Sequence, residues 1–151
     1  MKTTFNKQSI FGTNESYAPL LLRVAAGIVM LVHGSQKVLG TFGGYGFTGT
    51  MNFFTETMHL PWLIAFLVIV IEFFGAIALI LGLTTRLAAF GITVVALGIV
   101  ITSHLQYGFF MNWYGVQKGE GIEYFILYIA ISTSLIITGG GKFSVDRLIQ
   151  R

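Results

Sequence analysis

Apolar residues run along this chain in long blocks, and polar residues gather in the gaps between them. Four blocks stand out: Pro19 to Leu39, Trp62 to Leu83, Leu87 to Leu105, and Tyr124 to Gly139. The first three hold 19 to 22 residues, enough to cross a hydrocarbon layer of roughly 30 Å as helices rising about 1.5 Å per residue. The fourth holds 16 residues and is extended through Glu123 and Ile122, so the predicted spans are 19–39, 62–83, 87–105 and 122–139. Helical phase places Arg23, Gly27, Met30, Gly34 and Lys37 near one face of the first span, and Glu72, Gly75, Ala76, Leu79 and Gly82 on one stripe of the second. Gly91 with Gly98, and Ala130 with Ser134, repeat the small-residue pattern on the third and fourth. Small residues let helix backbones approach where lipid supplies no hydrophobic drive between them. The pattern predicts an all-α fold: an integral membrane antiparallel four-helix bundle forming a single domain over 1–151, with Glu72 turned inward.

Composition agrees, with 54% hydrophobic and 10% charged residues in 151. A soluble chain of this length could not bury such helices on all sides. The first eighteen residues are polar and mixed, without an apolar core and small-residue cleavage site, so the first span is expected to stay in the mature chain. The chain has no cysteine, which excludes an internal disulfide, dithiol exchange, a thiolate metal site and a cluster held by this chain alone. A redox role would need a bound cofactor or a partner. Lys2, Lys7, Arg86, Lys142, Arg147 and Arg151 fall on the side of the termini, and Lys37 and Lys118 on the other. The positive-inside rule then puts both termini in the cytoplasm. The net charge of +3 reflects this topology, and no basic stripe interleaved with aromatics suggests nucleic acid.

The two outer loops hold unusual residues. The first has Gly40, Gly43, Gly44, Gly46 and Gly49, then Thr50 to His59 with Met51, Phe54 and Met58 at helical spacing, which reads as a flexible segment followed by a short interfacial helix. The second carries Tyr107, Phe109, Phe110, Trp113 and Tyr114. These aromatics suit an interfacial belt, or a lid over an apolar ligand.

Ionisable residues inside the spans are the candidate chemistry, because each is costly in lipid. Arg23 and Glu72 lie on facing stripes, and a long guanidinium reaching inward would pair with Glu72. The pair either holds helices together or tunes a carboxylate that exchanges protons. Nearer the outer surface His33, Lys37, His59, His104 and Glu123 share one level. They suit a site at the mouth of a bundle, while each histidine alone also suits a hydrogen-bonded interface residue.

In order and spacing these residues resemble the DoxX/DoxD-like membrane proteins. The resemblance rests on Arg23, His33-Gly34 followed by Lys37, Glu72 with Gly75, and the turn Gly82-Leu83-Thr84-Thr85-Arg86. It continues through His104, Glu123 and the stretch Gly139-Gly140-Gly141-Lys142-Phe143-Ser144-Val145-Asp146, and covers about Tyr17 to Arg147. Gly140 departs from the family's Pro or Ala, and the first outer loop is longer than expected. The resemblance implies a multi-pass protein of the bacterial cytoplasmic membrane, related to membrane subunits of thiosulfate:quinone oxidoreductase and to accessory proteins of oxidative-stress or sulfur enzymes. It makes Glu72, His33, His104 and Glu123 the candidate catalytic residues. Arg23, Lys37, Trp113 and Tyr114 become the candidate cofactor contacts, with no metal site. Two functions follow: a quinone-interacting oxidoreductase subunit with a soluble or membrane redox partner, or a noncatalytic scaffold or lipid-handling subunit that docks an enzyme. A haem held by His33 and His104 is a third expectation, and would colour the protein.

Overall fold

The computed structural model describes residues 10–150, so Lys2, Lys7 and Arg151 of the charge argument lie outside the described residues. Those described contain helices and no strand. Helix α1 is Ala18–Leu39. Helix α2, Gly46–Asn52, runs on through a π-helical turn at Phe53–Thr57, starting four residues before the predicted short helix. Helices α3, Trp62–Leu81, and α4, Thr85–Tyr107, are joined by a tight turn. Helix α5 is Glu123–Thr138 and α6 is Val145–Gln150. Three of these, α1, α3 and α4, are long and apolar enough to cross a membrane; α5 is apolar but shorter, with 16 residues.

Helix α3 stops at Leu81 rather than Leu83 because Gly82 turns left-handed, with φ 67°, a region that residues with a Cβ rarely adopt. Besides the one that extends α2, π-helical turns lie at Ile71–Gly75 in α3 and Val100–His104 in α4. Such turns widen the helix and reorient the side chains at that point. One holds Glu72 and the other ends in His104.

The four long helices close into a ring, α1 against α3 and α5, and α4 against the same two. Neighbours run antiparallel: on α1, Gly27 meets Ala76 and Ile80, and Gly34, further along, meets Glu72 and Phe73. The interior is narrow, built on Ala26, Ala76, Ala89 and Ala96 with Leu79 and Ile92 between them. The outer faces are apolar instead. Leu21, Ile101 and Ile137 are each about 70% exposed, an arrangement that lipid favours and water does not.

The expected Arg23–Glu72 pair does not form. Arg23 is buried at the opposite end of the ring from Glu72's partner, and its guanidinium is satisfied by backbone carbonyls. Nε donates to Gly140 O at 2.9 Å, Nη2 to Phe143 O at 2.8 Å, and Nη1 to Leu79 O at 3.2 Å and to Ile80 O. The last two are carbonyls of the final turn of α3, so the cation neutralises a helix C-terminus rather than a carboxylate. Beside it, buried Asp146 accepts from Thr84 N at 2.6 Å and Thr85 N at 2.8 Å, capping the start of α4. Arg23, the Gly82–Arg86 turn and the Gly139–Asp146 stretch thus form one structural knot.

Candidate functional site

At the other end of the ring, a cavity of about 400 Å³ opens between α1, α3, α4 and α5. His33 and Lys37 come from α1, Glu72 from α3, His104 from α4, and Tyr124 and Tyr128 from α5. Met30, Ala96, Ile99 and Phe125 make the remaining wall apolar, and Met111 and Glu120 of the loop between α4 and α5 close the top.

The central contact is an ion pair: Lys37 Nζ lies 2.5 Å from Glu72 Oε2. The two side chains are unequally covered, with 23% of Lys37 and 2% of Glu72 exposed. The close approach makes possible a charge pairing, yet no hydrogen bond of proper geometry reaches Glu72 Oε2. Glu72 is held there because Gly34 lets α1 touch the π-helical turn: a Cβ at Gly34 would sit 2.7 Å from Phe73 Cα and 2.8 Å from Glu72 O.

His104 is fixed on two sides. Its Nδ1 lies 2.8 Å from Glu120 O, an acceptor only, so Nδ1 donates and Nε2 is left as an acceptor in the neutral ring. Its ring centroid lies 4.5 Å from that of Phe125. Tyr124 and Tyr128 stack at 5.7 Å, and the Tyr128 hydroxyl donates to Ala26 O at 2.9 Å, which closes the floor. His33 is exposed at the mouth.

Four of the eight residues singled out in the sequence therefore meet: His33, Lys37, Glu72 and His104. Arg23 belongs to the knot at the far end. Glu123 lies outside the cavity lining, where Oε2 accepts from Met111 N at 3.2 Å and Trp113 Nε1 at 3.3 Å. Trp113 and Tyr114 are exposed, at 75% and 90%. With Asn112 N donating to Glu120 Oε2 at 2.6 Å and Glu123 N to Phe109 O at 2.9 Å, the loop is a folded cap. Sequence reasoning missed Tyr124, Tyr128 and Glu120. The tyrosines were legible as an i, i+4 pair on one face, whereas Glu120 sits in a loop with no periodicity. Among the described residues no group of three or more His, Asp or Glu could hold a metal ion.

The DoxX family model matches residues 18–105, more than half of the chain. The chain belongs to the DoxX family. This DoxX protein is 30% identical over 130 residues to CatD of Bacillus subtilis (strain 168), a protein whose name assigns it provisionally to the oxidoreductases; the match covers 86% of this chain and 85% of that one. It is 28% identical to the inner membrane protein YqjF of Escherichia coli (strain K12), covering 91% and 95% of the two chains. It is 27% identical to the inner membrane protein YphA of the same organism, covering 91% and 94%. No solved structure matches at a significant level. Of the cavity residues, His33, Lys37, Glu72 and His104 lie within the matched DoxX segment, while Tyr124 and Tyr128 follow it.

Proposed function

We propose that this DoxX protein binds a quinone in the cavity around Lys37 and Glu72 and serves as the membrane subunit or accessory of an oxidoreductase. The observation that carries this is the ion pair of Lys37 with the covered carboxylate of Glu72, set beside His104 in a cavity whose remaining wall is largely apolar and aromatic. An oxidised quinone presents carbonyl acceptors, and the reduced form presents hydroxyl donors. Lys37 donates to the first and Glu72 accepts from the second, so the pair suits both forms. Tyr124 and Phe125 offer faces for a flat ring. When bound, the quinone supplies two-electron, two-proton chemistry, and the electrons come from a soluble or membrane redox partner, since the chain has no cysteine. Glu72 and the free Nε2 of His104 are the groups that hold or move a proton. The provisional oxidoreductase name of the Bacillus relative supports this class of role.

In this reading α1, α3, α4 and α5 cross the bacterial cytoplasmic membrane as a four-helix bundle with both termini cytoplasmic. Helix α2 lies in the outer interface, and the cavity faces outward. Mass spectrometry of lipid extracted from protein purified in mild detergent tests the ligand. About one quinone per chain is expected, and it should be lost from His33→Ala and His104→Ala while the bundle still folds. Phospholipid alone would favour a noncatalytic scaffold that docks a partner through the exposed aromatics of its outer loop. A Soret band would instead assign His33 and His104 to haem.

A further inference from the structure

A second cavity, of about 520 Å³, lies between the π-helical extension of α2, α3 and α4. Lys37, Glu72, Ile99 and His104 line both this cavity and the first, so the two meet at the ion pair. Away from that junction the wall is hydrocarbon: Phe53, Phe54 and Met58 form one side, and Leu67, Val94 and Gly98 others. Thr102 and Ser103 are the hydroxyls in that wall, and they are answered locally: Thr102 Oγ1 donates to Gly98 O of its own helix at 2.9 Å and lies 3.2 Å from Ser103 Oγ. At the rim, Ile64, Leu67 and Val94 are 46%, 40% and 50% exposed, on the apolar outer face of the ring. The first cavity, in contrast, is roofed by the hydrogen-bonded loop that carries Met111 and Glu120.

We propose that the second cavity is the seat of a hydrocarbon chain, entered sideways from the lipid, and that the ligand of this protein is a long-tailed membrane amphiphile whose polar head reaches the Lys37–Glu72 pair. For the identity of that head the proposal rests on the quinone reading above. The presence of Lys37 and Glu72 in the wall of the second cavity itself is what commits the occupant: a tail-less molecule at the ion pair would leave the apolar space beside it unfilled, and a free hydrocarbon would leave the pair unanswered. Apolar walls favour any hydrocarbon chain of fitting width, isoprenoid or saturated, and the probes below separate these.

Gly98 supplies the test. A Cβ built there meets nothing within 4 Å, so a side chain can start at this lining position without a clash at its first carbon. Binding to the full-length protein in detergent is measured with three quinones of one headgroup: tail-less, decyl-tailed and polyisoprenoid-tailed. Denying a hydrophobic pocket even one methylene costs about tenfold or more. Gly98→Phe is therefore expected to weaken both tailed quinones by at least about tenfold while tail-less binding stays unchanged. Loss confined to the polyisoprenoid probe would narrow the chain to isoprenoid and still support the seat. Unchanged affinity of every tailed quinone in Gly98→Phe, with tail-less binding intact, would overturn the tail seat and leave the quinone reading standing. Failure of wild-type protein to bind any of the three would remove the quinone reading and this proposal with it. If Gly98→Phe does not fold, Leu67→Trp at the rim makes the same comparison.

Discussion

Glu72 and Lys37 share one contact but not one environment, and that difference has a measurable consequence. The Glu72 side chain is almost wholly covered, whereas Lys37 keeps nearly a quarter of its side-chain surface accessible. Removing one partner of a buried pair costs about 3 to 5 kcal/mol when the survivor is stranded without water. Lys37→Met strands the covered carboxylate and should cost about 3 kcal/mol or more in detergent unfolding. Glu72→Gln leaves an ammonium that reaches solvent, so its loss should be smaller, and the double variant should recover part of both. Equal or additive losses would mean that the pair is not coupled. Arg23 behaves differently. Its partners Leu79 and Ile80 lie about 10 Å along α3 from Glu72 at 1.5 Å per residue, in a separate network. Arg23→Gln and Glu72→Gln should therefore add within about 0.5 kcal/mol, where a direct pair would not. The sequence made Arg23 and Glu72 look like partners because both are inward charges on facing stripes. It could not reveal that backbone carbonyls at Gly140 and Phe143, far along the chain, would take the guanidinium instead.

At the scale of elements, two glycines of similar sequence context have opposite roles. A Cβ at Gly34 would collide with backbone, at 2.7 Å from Phe73 Cα, while one at Gly98 meets open space. Backbone cannot swing aside, so Gly34→Ala should push α1 off the π-helical turn and cost about 1 to 3 kcal/mol, with loss of whatever the Lys37–Glu72 pair binds. Gly98→Ala should instead be neutral or stabilising by up to about 1 kcal/mol, since it removes only the helix penalty of glycine. Thermal unfolding of the two variants in one detergent makes the comparison, and similar losses in both would contradict the packing. Helix content was legible in the sequence because 3.6-residue periodicity and block length are local signals, and the first span ends at Leu39 as expected, whereas Gly82, expected inside the second span, stops it at Leu81. The π-helical turns were not legible. They widen a helix by one residue without a composition of their own, yet they present Glu72 and His104 to the same cavity. Asp146 was legible as part of a terminal motif but not as a cap, because Thr84 N and Thr85 N, which donate to its Oδ1 and Oδ2, lie 62 and 61 residues away in the chain. Asp146→Ala should cost about 1 to 2 kcal/mol through the lost cap.

The whole molecule is asymmetric along the axis of its ring. One end is tied by Arg23 and Asp146 into carbonyl and amide networks, with Arg86, Lys142 and Arg147 around it. The other end holds the cavity, the exposed aromatics Phe110, Trp113 and Tyr114, and Lys37 and Lys118 as its basic residues. Rigidity at one end and an open cavity at the other suit a protein that is anchored on one face of a membrane and receives its ligand near the opposite face. The proposed orientation rests on charge, because Lys and Arg in short flanks are retained on the cytoplasmic side. It puts the loops 40–61 and 106–121 outside. The cysteine-free chain allows a clean measurement with single introduced thiols at Lys118 and Gln150, both exposed. Lys118→Cys should react with a membrane-impermeant reagent added to intact cells, and Gln150→Cys only after the membrane is opened. The reverse pattern would invert the protein and put the Lys37–Glu72 cavity toward the cytoplasm. Labelling of both from outside would show that the fourth helix, α5, does not cross, since Lys118 and Gln150 flank it.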